Sequence, residues 1–155
     1  MSAHKPLEGV KVVELASFVA APTAGRMMAE MGADVIRVES TAGDPWRFYG
    51  ANCGLPITDE ENPLFDIYNL GKKDIQLNTK TPEGKEILFH LLDEADVFIT
   101  NNRLKSLVRS GLDYESLKDR FPKLIYGLVT GYGQTGPDVD APGYDGVAFF
   151  SRSGM

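Results

Sequence analysis

Several cationic side chains lie at or just beyond the ends of predicted β-strands, where a phosphate group could bind. They are Arg37, Lys72, Lys73, Lys80, Arg103, Lys105 and Arg109. Arginine and lysine bind phosphate oxygens through charge-assisted hydrogen bonds. For any single one of these residues, a solvated basic face is the more common explanation. Their joint placement near the strand ends carries more weight than any single residue. It indicates that an anion could bind at these strand ends.

A turn of mostly small residues follows the first predicted strand, over residues 15–22. Ligands of parallel α/β sheets bind beyond the carboxyl ends of the strands, and small residues let backbone N–H groups approach an anion at a helix N-terminus. The turn lacks the G-x-G-x-x-G pattern of dinucleotide-binding proteins. Without those glycines, Glu39 is explained better as a surface acid at a strand end than as a ribose ligand.

The other reactive side chains form no catalytic or metal-binding pattern. Cys53 lies in a glycine-rich segment that does not activate a thiol, and the two histidines are not at metal-ligand spacing from it. We therefore predict no metal site. Trp46, Phe48 and Tyr49 are equally consistent with the wall of a substrate pocket and with packing of a loop onto the core.

Composition and charge exclude several classes of protein. The 155 residues include 16 Lys+Arg and 22 Asp+Glu, a net charge of −6 that disfavours nucleic acid as a partner. The 43% hydrophobic and 25% charged residues are typical of one globular core. No stretch approaches the roughly 18 apolar residues of a membrane span, and no signal peptide is recognisable. The single cysteine cannot form an intrachain disulfide, so we expect a cytoplasmic protein.

Alternating strand and helix patterns must position these groups. Runs rich in β-branched and apolar residues predict strands over 10–15, 33–39, 74–78, 95–100 and 124–130. Residues 40–69, rich in glycine, proline and aromatic residues, are predicted to form a long functional loop or lid. The order of elements predicts an α/β fold with a Rossmann-like, mainly parallel sheet and helices on both faces.

The helices between these strands have recognisable ends. One is predicted to begin at Pro22 and to end before Gly32, and another to begin after Thr81 as its N-cap. Two short helices are predicted before Gly111 and after Asp113. The helix after Thr81 has a predicted buried stripe formed by Ile87, Leu88, Leu91 and Leu92.

Six segments spread along the chain carry recognisable motifs. They are residues 6–15, 31–39, 69–73, 80–85, 95–97 and 130–137. Any one of them is weakly specific, and the ordered set is highly specific. The chain resembles the N-terminal part of the family III CoA-transferases, a group that includes formyl-CoA transferase, carnitine CoA-transferases and α-methylacyl-CoA racemases. Within the group it is most similar to transferases for aryl or branched 2-hydroxy acids, such as phenyllactate and 2-hydroxyisocaproate, of anaerobic amino-acid fermentation.

The resemblance implies a set of CoA-binding residues. They are Phe18, Val19, Ala20, Leu77, Lys80, Asn101, Asn102 and Arg109. By the same resemblance, Arg109 contacts a CoA phosphate or the adenine end. Formyl-CoA transferases have a glutamine where this chain has Val19 and an adenine-stacking arginine where it has Ser40. Those departures disfavour formyl and oxalyl substrates, and we expect Arg37 to replace the missing cation.

The resemblance also favours a transferase over a racemase. The racemases have a catalytic histidine where this chain has Tyr144, and two-base proton exchange at the α-carbon lacks one partner without it. Asp145 matches an acidic residue of both branches that holds the loop near the thioester, although a helix N-terminal acid is an equal explanation. Tyr144 and Asp145 are therefore the supporting catalytic candidates.

Transferases of this family use an aspartate nucleophile that forms a mixed anhydride and then an aspartyl-CoA thioester. By resemblance it lies beyond residue 155, and Asp138, Asp140 and Asp145 are not that residue. The apolar run over residues 143–150 also lacks a following element to cover it. We expect residues 1–155 to be the N-terminal part of a Rossmann-like CoA-binding domain, inactive alone, within a longer protein.

The resemblance implies that the full protein is an interlocked homodimer that acts on an acyl-CoA and a carboxylic acid. CoA is then a substrate, and no tightly bound cofactor is expected. Two other functions remain open. A CoA-binding remnant would bind CoA without exchanging thioesters. A nicotinamide-dependent oxidoreductase is suggested by the initial βαβ unit and Glu39, and is disfavoured by the missing glycine pattern.

Overall fold

Parallel strands alternate with helices from residue 11 to residue 128. The computed structural model describes residues 4–58, 60–144, 146–150 and 153–154. The strands are β1 (Lys11–Leu15), β2 (Asp34–Glu39), β3 (Lys73–Gln76), β4 (Val97–Thr100) and β5 (Ile125–Leu128). The helices are α1 (Ala20–Glu30), α2 (Trp46–Tyr49), α3 (Pro63–Asn69), α4 (Pro82–Glu94), α5 (Leu104–Ser110) and α6 (Tyr114–Leu117). A 3₁₀ turn spans Gly50–Cys53 and a π-helical turn spans Gly146–Phe150.

The strands form a parallel sheet in the order β3-β2-β1-β4-β5. The chain winds outward from β1 to β3 and then returns to place β4 on the other side of β1. This reversal makes the carboxyl ends of β1 and β4 a topological switch point, the place at which open α/β sheets bind their ligands. We call this place, between the turns that follow β1 and β4, the crevice. The predicted α/β fold with a parallel sheet is confirmed.

Apolar residues cover both faces of the sheet. On one face, Phe98 packs in a cluster with Leu88 and Leu92 of α4 and Leu107 of α5. On the other, Val12, Val35 and Ile99 cluster with Ala21 of α1 and neighbouring small residues. Burial on both faces explains the short apolar runs within β1, β2 and β4, whereas most of the edge strand β3 is exposed. Among the described residues, no helix is both long and apolar enough to cross a membrane.

The predicted helix ends are confirmed at most positions. The Thr81 side chain accepts a hydrogen bond from Gly84 N (3.2 Å), and the Asp113 side chain accepts one from Ser116 N (3.3 Å). Gly111 ends α5 with a φ of 65°, which glycine adopts without steric penalty. Helix α1, however, begins at Ala20, so Pro22 is its third residue rather than its first. Both positions tolerate proline, because the first N–H groups of a helix have no intrahelical acceptor.

Two other expectations need correction. Residues 40–69 are not one long loop, because α2, the 3₁₀ turn and α3 lie within them. Asn62 caps α3 and Pro63 is its first residue, a start signal that the sequence contains. Ile87 is 46% exposed and does not belong to the buried stripe of α4, which is formed by Leu88 and Leu92.

Adjacent residues of α4 provide a test of this packing. Leu88 is fully buried, so Leu88→Ala should lower the free energy of unfolding by about 2–5 kcal/mol through lost burial and a residual cavity. Ile87→Ala, one residue earlier on the exposed side, should change it by less than about 1 kcal/mol. Urea denaturation of both variants measures the difference. Equal losses would contradict the placement of α4.

Candidate functional site

The turns that follow β1 and β4 lie side by side at the crevice. The Thr100 hydroxyl donates a hydrogen bond to Leu15 O (2.7 Å) across the two strand ends. The next residue, Asn101, accepts from Ser17 N (3.0 Å) and donates to Ser17 O (2.7 Å) through its side-chain amide. Two turns far apart in sequence are thus fixed to each other by three hydrogen bonds. Asn101 uses both ends of its amide to shape the β1 turn.

Phe18, at the centre of the β1 turn, has an unusual backbone conformation. Its φ is 63°, and no other non-glycine residue among those described has a positive φ. The left-handed region costs a residue with a Cβ roughly 1–2 kcal/mol. The Phe18 N–H donates to both carboxylate oxygens of Asp44, each at 3.2 Å. This charge-assisted contact offsets part of the strain and sets the direction in which the chain enters α1.

Asp44 joins the β1 turn to the segment after β2, and it was not among the residues predicted from sequence. Its side chain is buried, and it also accepts hydrogen bonds from Trp46 N (2.8 Å) and Arg37 Nη2 (2.5 Å). Its own backbone N–H donates to Glu39 Oε1 (2.6 Å). The sequence offers one signal, because an aspartate between Gly43 and Pro45 is typical of a turn whose carboxylate binds nearby N–H groups.

A row of three charged side chains crosses the sheet beneath α1. The strand register pairs Glu14 of β1 with Arg37 of β2, and Arg37 with Asp74 of β3. The Arg37 guanidinium is 0% exposed. It lies 3.5 Å from Glu14, 3.2 Å from Glu39, 2.5 Å from Asp44 and 2.8 Å from Asp74. An interior cation requires this many partners because removing it from water is very unfavourable.

Two further cations complete the cluster. Arg47 Nε lies 2.8 Å from Glu39 Oε1, and Arg47 Nη2 lies 2.8 Å from Asp74 Oδ2. Lys72 Nζ lies 2.8 Å from Glu14 Oε2 and donates to Pro22 O at 2.8 Å. Lys72 thereby ties the segment before β3 to α1.

The cluster shifts the pKa values of its members in different directions. Burial raises the pKa of Glu14 and outweighs the attraction of Lys72. Burial likewise lowers the pKa of Lys72 despite the neighbouring Glu14 carboxylate. Burial alone would also raise the pKa of Glu39, but the hydrogen bond from Arg47 and the charge of Arg37 outweigh it, so the net shift is downward. The ionised form of Glu39 is therefore favoured by the fold.

These contacts decide which of the predicted cations are available to a ligand. The Arg37 and Lys72 side chains are buried and held by carboxylates, so neither faces the crevice. The expectation that Arg37 replaces a ligand-binding cation does not fit this burial, and we leave it out of the site. Lys73 pairs with Asp34 (2.7 Å), and Lys105 pairs with Asp140 (3.3 Å) on the surface.

Lys80, Arg103 and Arg109 are exposed and have no ion pair with another described residue. Lys80 and Leu77 follow β3 at the same edge of the sheet, with β2 between them and the β1 turn. Arg109 is in the last turn of α5, a helix of 7 residues, and so lies about 10 Å along the helix from the Asn101–Asn102 turn. Only a ligand longer than this could contact both places.

Aromatic rings gather around the β1 turn. The Phe18 ring lies 6.3 Å from the Trp46 ring and 5.9 Å from the Tyr144 ring, centroid to centroid. Trp46 stacks on Tyr49 at 4.6 Å and donates its indole N–H to Leu64 O (3.1 Å). Trp46 therefore packs the loop after β2 onto α3, while Tyr49 and Phe48 remain exposed.

Tyr144 reaches Phe18 because two backbone segments touch. A Cβ added to Gly131 would lie 2.5 Å from Gly143 Cα. The segment that follows β5 therefore folds back, and its residue 143 contacts residue 131. This brings the exposed Tyr144 to the crevice, next to Phe18. Asp145, the other supporting candidate, lies outside the described residues. Among the described residues, no group of three His, Cys, Asp or Glu side chains could hold a metal ion.

The structure thus brings together Phe18, Asn101 and Tyr144 of the residues predicted from sequence. Val19 and Ala20 continue from Phe18 into the first turn of α1, and Val19 O accepts hydrogen bonds from the backbone (2.8 Å) and hydroxyl (2.7 Å) of Thr23. Asn102 lies beside Asn101, and its backbone N–H donates to the Thr100 hydroxyl (3.2 Å). Leu77, Lys80 and Arg109 lie farther along the edge or on α5.

Comparison with known proteins identifies the family suggested by the sequence motifs, and the match extends over nearly the whole chain. The sequence model of CoA-transferase family III matches residues 7–155. The chain is 54% identical over 147 residues to a cinnamoyl-CoA:phenyllactate CoA-transferase of Clostridium sporogenes, covering 95% of this chain and 36% of the relative. It is 47% identical over 149 residues to an (R)-2-hydroxy-4-methylpentanoate CoA-transferase of Clostridioides difficile, covering 96% of this chain and 37% of the relative.

Solved structures agree with the fold. A CAIB/BAIF family protein from Brucella suis superimposes with a TM-score of 0.84 at 44% identity, covering 92% of this chain and 38% of that one. A hypothetical protein from Mycobacterium tuberculosis superimposes with a TM-score of 0.79 at 35% identity, covering 91% and 38%. The chain spans a little over a third of the length of these two curated relatives.

The lowered pKa of Glu39 predicts how its contribution to stability depends on pH. Glu39→Gln removes an ionised partner of Arg37 and Arg47 and should cost about 1.5–3 kcal/mol at pH 7. The wild-type advantage should be complete above the ordinary glutamate pKa of about 4.3. It should shrink as pH falls through the lowered folded-state pKa, because the folded protein must then give up the ionised carboxylate.

Urea denaturation of wild type and Glu39→Gln between neutral and acidic pH measures this difference. Glu86→Gln, on the exposed side of α4, is the control and should follow wild type at every pH. A stability gap that widens as the solution becomes more acidic would show that the sign of the shift is wrong.

The junction between the β1 and β4 turns gives a second prediction. Asn101→Ala removes both side-chain hydrogen bonds to Ser17 and should lower the free energy of unfolding by about 1–3 kcal/mol. Asn102→Ala is the matched control, since Asn102 bonds Thr100 through its backbone N–H, and should cost less than about 0.5 kcal/mol. Thermal or urea unfolding compares the two. Equal stability of both variants would contradict the junction.

Proposed function

The chain belongs to CoA-transferase family III, and we propose that it forms the CoA-binding edge of an enzyme that transfers CoA from an acyl-CoA thioester to a carboxylic acid. The observation that carries this proposal is the crevice between β1 and β4. There Phe18, Asn101 and Tyr144 meet at the carboxyl ends of adjacent parallel strands. This is the position at which open α/β sheets bind nucleotide-like ligands.

The reaction exchanges two acyl groups on one thiol. A bond forms between the CoA sulfur and the carbonyl carbon of the acceptor acid, and the donor thioester bond breaks. One oxygen passes from the acceptor to the donor, which leaves as a carboxylate, and no electrons or net protons are consumed. We assign to this chain the binding and orientation of CoA. No covalent step is assigned to Asp138 or Asp140.

We propose an aryl or branched 2-hydroxy acid as the acid substrate. Support comes from the two relatives named for phenyllactate and for 2-hydroxy-4-methylpentanoate, which are 54% and 47% identical to this chain. Both names denote acids with an apolar side chain. The rings of Phe18, Trp46 and Tyr144 at the crevice are compatible with such a side chain, since aromatic surfaces favour apolar contacts.

We further infer that the full protein is a homodimer that acts in the cytoplasm in amino-acid fermentation, with CoA as substrate and no resident cofactor. The dimer and the metabolic role rest on the resemblance to the family. The location is supported by the single cysteine, Cys53, which is exposed and has no cysteine with which to form an intrachain disulfide.

The CoA assignment predicts a titration result. CoA should bind the purified protein, and Arg109→Ala should weaken that binding by about 1.5–3 kcal/mol, or roughly 10- to 150-fold, through loss of a contact to a charged group. Isothermal titration calorimetry measures both affinities. Lys123→Ala is the control. Lys123 is exposed and precedes β5, at the amino ends of the strands rather than the carboxyl ends, so its substitution should leave the affinity unchanged.

Three results would contradict parts of the proposal. Absence of CoA binding would contradict the CoA-binding edge, and binding of NADH instead would favour an oxidoreductase. Equal affinities for wild type and Arg109→Ala would remove Arg109 from the site. CoA binding by the full-length protein without exchange between an acyl-CoA and phenyllactate would favour the non-catalytic remnant.

A further inference from the structure

We propose that Asp44 is a positioning residue for CoA binding, acting through the backbone of Phe18 rather than by contact with the ligand. This inference rests on the proposed function, because it concerns the shape of the same crevice. Asp44 is 2% exposed and lies behind the β1 turn, where its carboxylate binds the Phe18 N–H.

The backbone of the β1 turn is strained at Phe18. Its φ of 63° is unfavourable for a residue with a Cβ, so the turn needs an interaction that selects this conformation. Asn101 holds the preceding residue, Ser17, through both ends of its amide. The N–H of Phe18 itself is held by Asp44. The two side chains thus fix successive residues of the turn.

The Asp44 carboxylate contacts hydrogen-bond donors through both of its oxygens. Oδ1 accepts from Phe18 N and Trp46 N, while Oδ2 accepts from Phe18 N and Arg37 Nη2. Every partner is a donor, so both oxygens must be acceptors. An asparagine in this place would turn an N–H₂ group toward a donor in either orientation of its amide. Asp44→Asn therefore keeps the shape of the side chain but disrupts its hold on Phe18.

The contacts of Asp74 distinguish the role of Asp44 from that of the charged cluster in general. Asp74 also binds Arg37 (2.8 Å) and Arg47 (2.8 Å), yet none of its hydrogen bonds involves the β1 turn. Asp44 and Asp74 thus share the same buried cation and differ in their contact with Phe18. A matched pair of variants can distinguish support of the turn from support of the cluster.

The experiment is titration of CoA into the wild-type protein, Asp44→Asn and Asp74→Asn, under conditions where each is folded. We expect Asp44→Asn to weaken CoA binding by at least about tenfold, the equivalent of one charge-assisted contact. Asp74→Asn should leave the affinity within about twofold of wild type. Hydrogen exchange of the Phe18 amide should be faster in Asp44→Asn and unchanged in Asp74→Asn.

A second background tests whether Asp44 acts through the strained turn. Glycine adopts a φ of 63° without steric penalty, so Phe18→Gly removes the strain that Asp44 offsets. In the Phe18→Gly protein, adding Asp44→Asn should change CoA affinity by less than about threefold, because the larger effect depends on the strain. If Asp44→Asn alone does not fold, the Phe18→Gly background is measured by itself, and a loss of CoA affinity of about tenfold or more on adding Asp44→Asn there would overturn the inference.

Equal loss of affinity in Asp44→Asn and Asp74→Asn would overturn the inference, as would an equally large effect of Asp44→Asn in both backgrounds. Wild-type CoA binding that Asp44→Asn leaves unchanged would also overturn it, while the proposed function would stand. Absence of CoA binding to the wild-type protein would overturn the proposed function, and this inference with it.

Discussion

A fully buried arginine imposes the constraint around which half of this molecule is organised. The Arg37 guanidinium lies in the middle of β2 under a layer of helices, with no water to solvate its charge. Burying an unpaired charge would cost several kcal/mol, a large share of the roughly 5–15 kcal/mol by which a domain is stable. The neighbouring strands place Glu14 and Asp74 beside it in register, and the chain beyond β2 returns Asp44 to it. The charge thus determines the path of segments that are distant in sequence.

The segment between β2 and β3 owes its order to this cluster. Arg47 binds Glu39 and Asp74 and lies 3.9 Å over the Phe65 ring, while Asn62 donates to Arg47 O (2.9 Å) and caps α3. A segment rich in glycine and proline would otherwise bury little apolar surface and remain loosely held. Here it is a structured wall beside the crevice, because its polar groups neutralise charges that the sheet has buried.

The same cluster connects the interior to the proposed ligand site. Asp44 contacts Arg37 on one side and the Phe18 N–H on the other, so the shape of the β1 turn depends on a charge balance inside the fold. The crevice surface itself consists of backbone, amide and aromatic groups, with exposed cations farther along the edge. This arrangement suits a long ligand with an anionic part and a neutral part. A net charge of −6 does not exclude an anionic ligand at this site, since the local groups decide the field there.

The sequence by itself determined the order of elements and most of their ends. Thr81, Asp113 and Gly111 cap helices through contacts within a few residues, so local pattern was sufficient to predict them. The resemblance to the family also implied that the turns after β1 and β4 contribute to one site, and the carboxyl ends of parallel strands do share an edge. The family itself was recognisable from motifs in order along the chain.

Only the tertiary structure decided which charged residues face solvent. Arg37 and Lys72 read as candidate ligand-binding cations, and alternation along β2 alone does not reveal that their partners Glu14 and Asp74 arrive from other strands. Asp44 likewise depends on a tertiary contact, because it accepts a hydrogen bond from the N–H of Phe18, which is 26 residues away in the sequence. Local patterns record the backbone preferences of neighbouring residues, whereas burial of a charge depends on strand register and on segments far apart in sequence, which meet only in the folded chain.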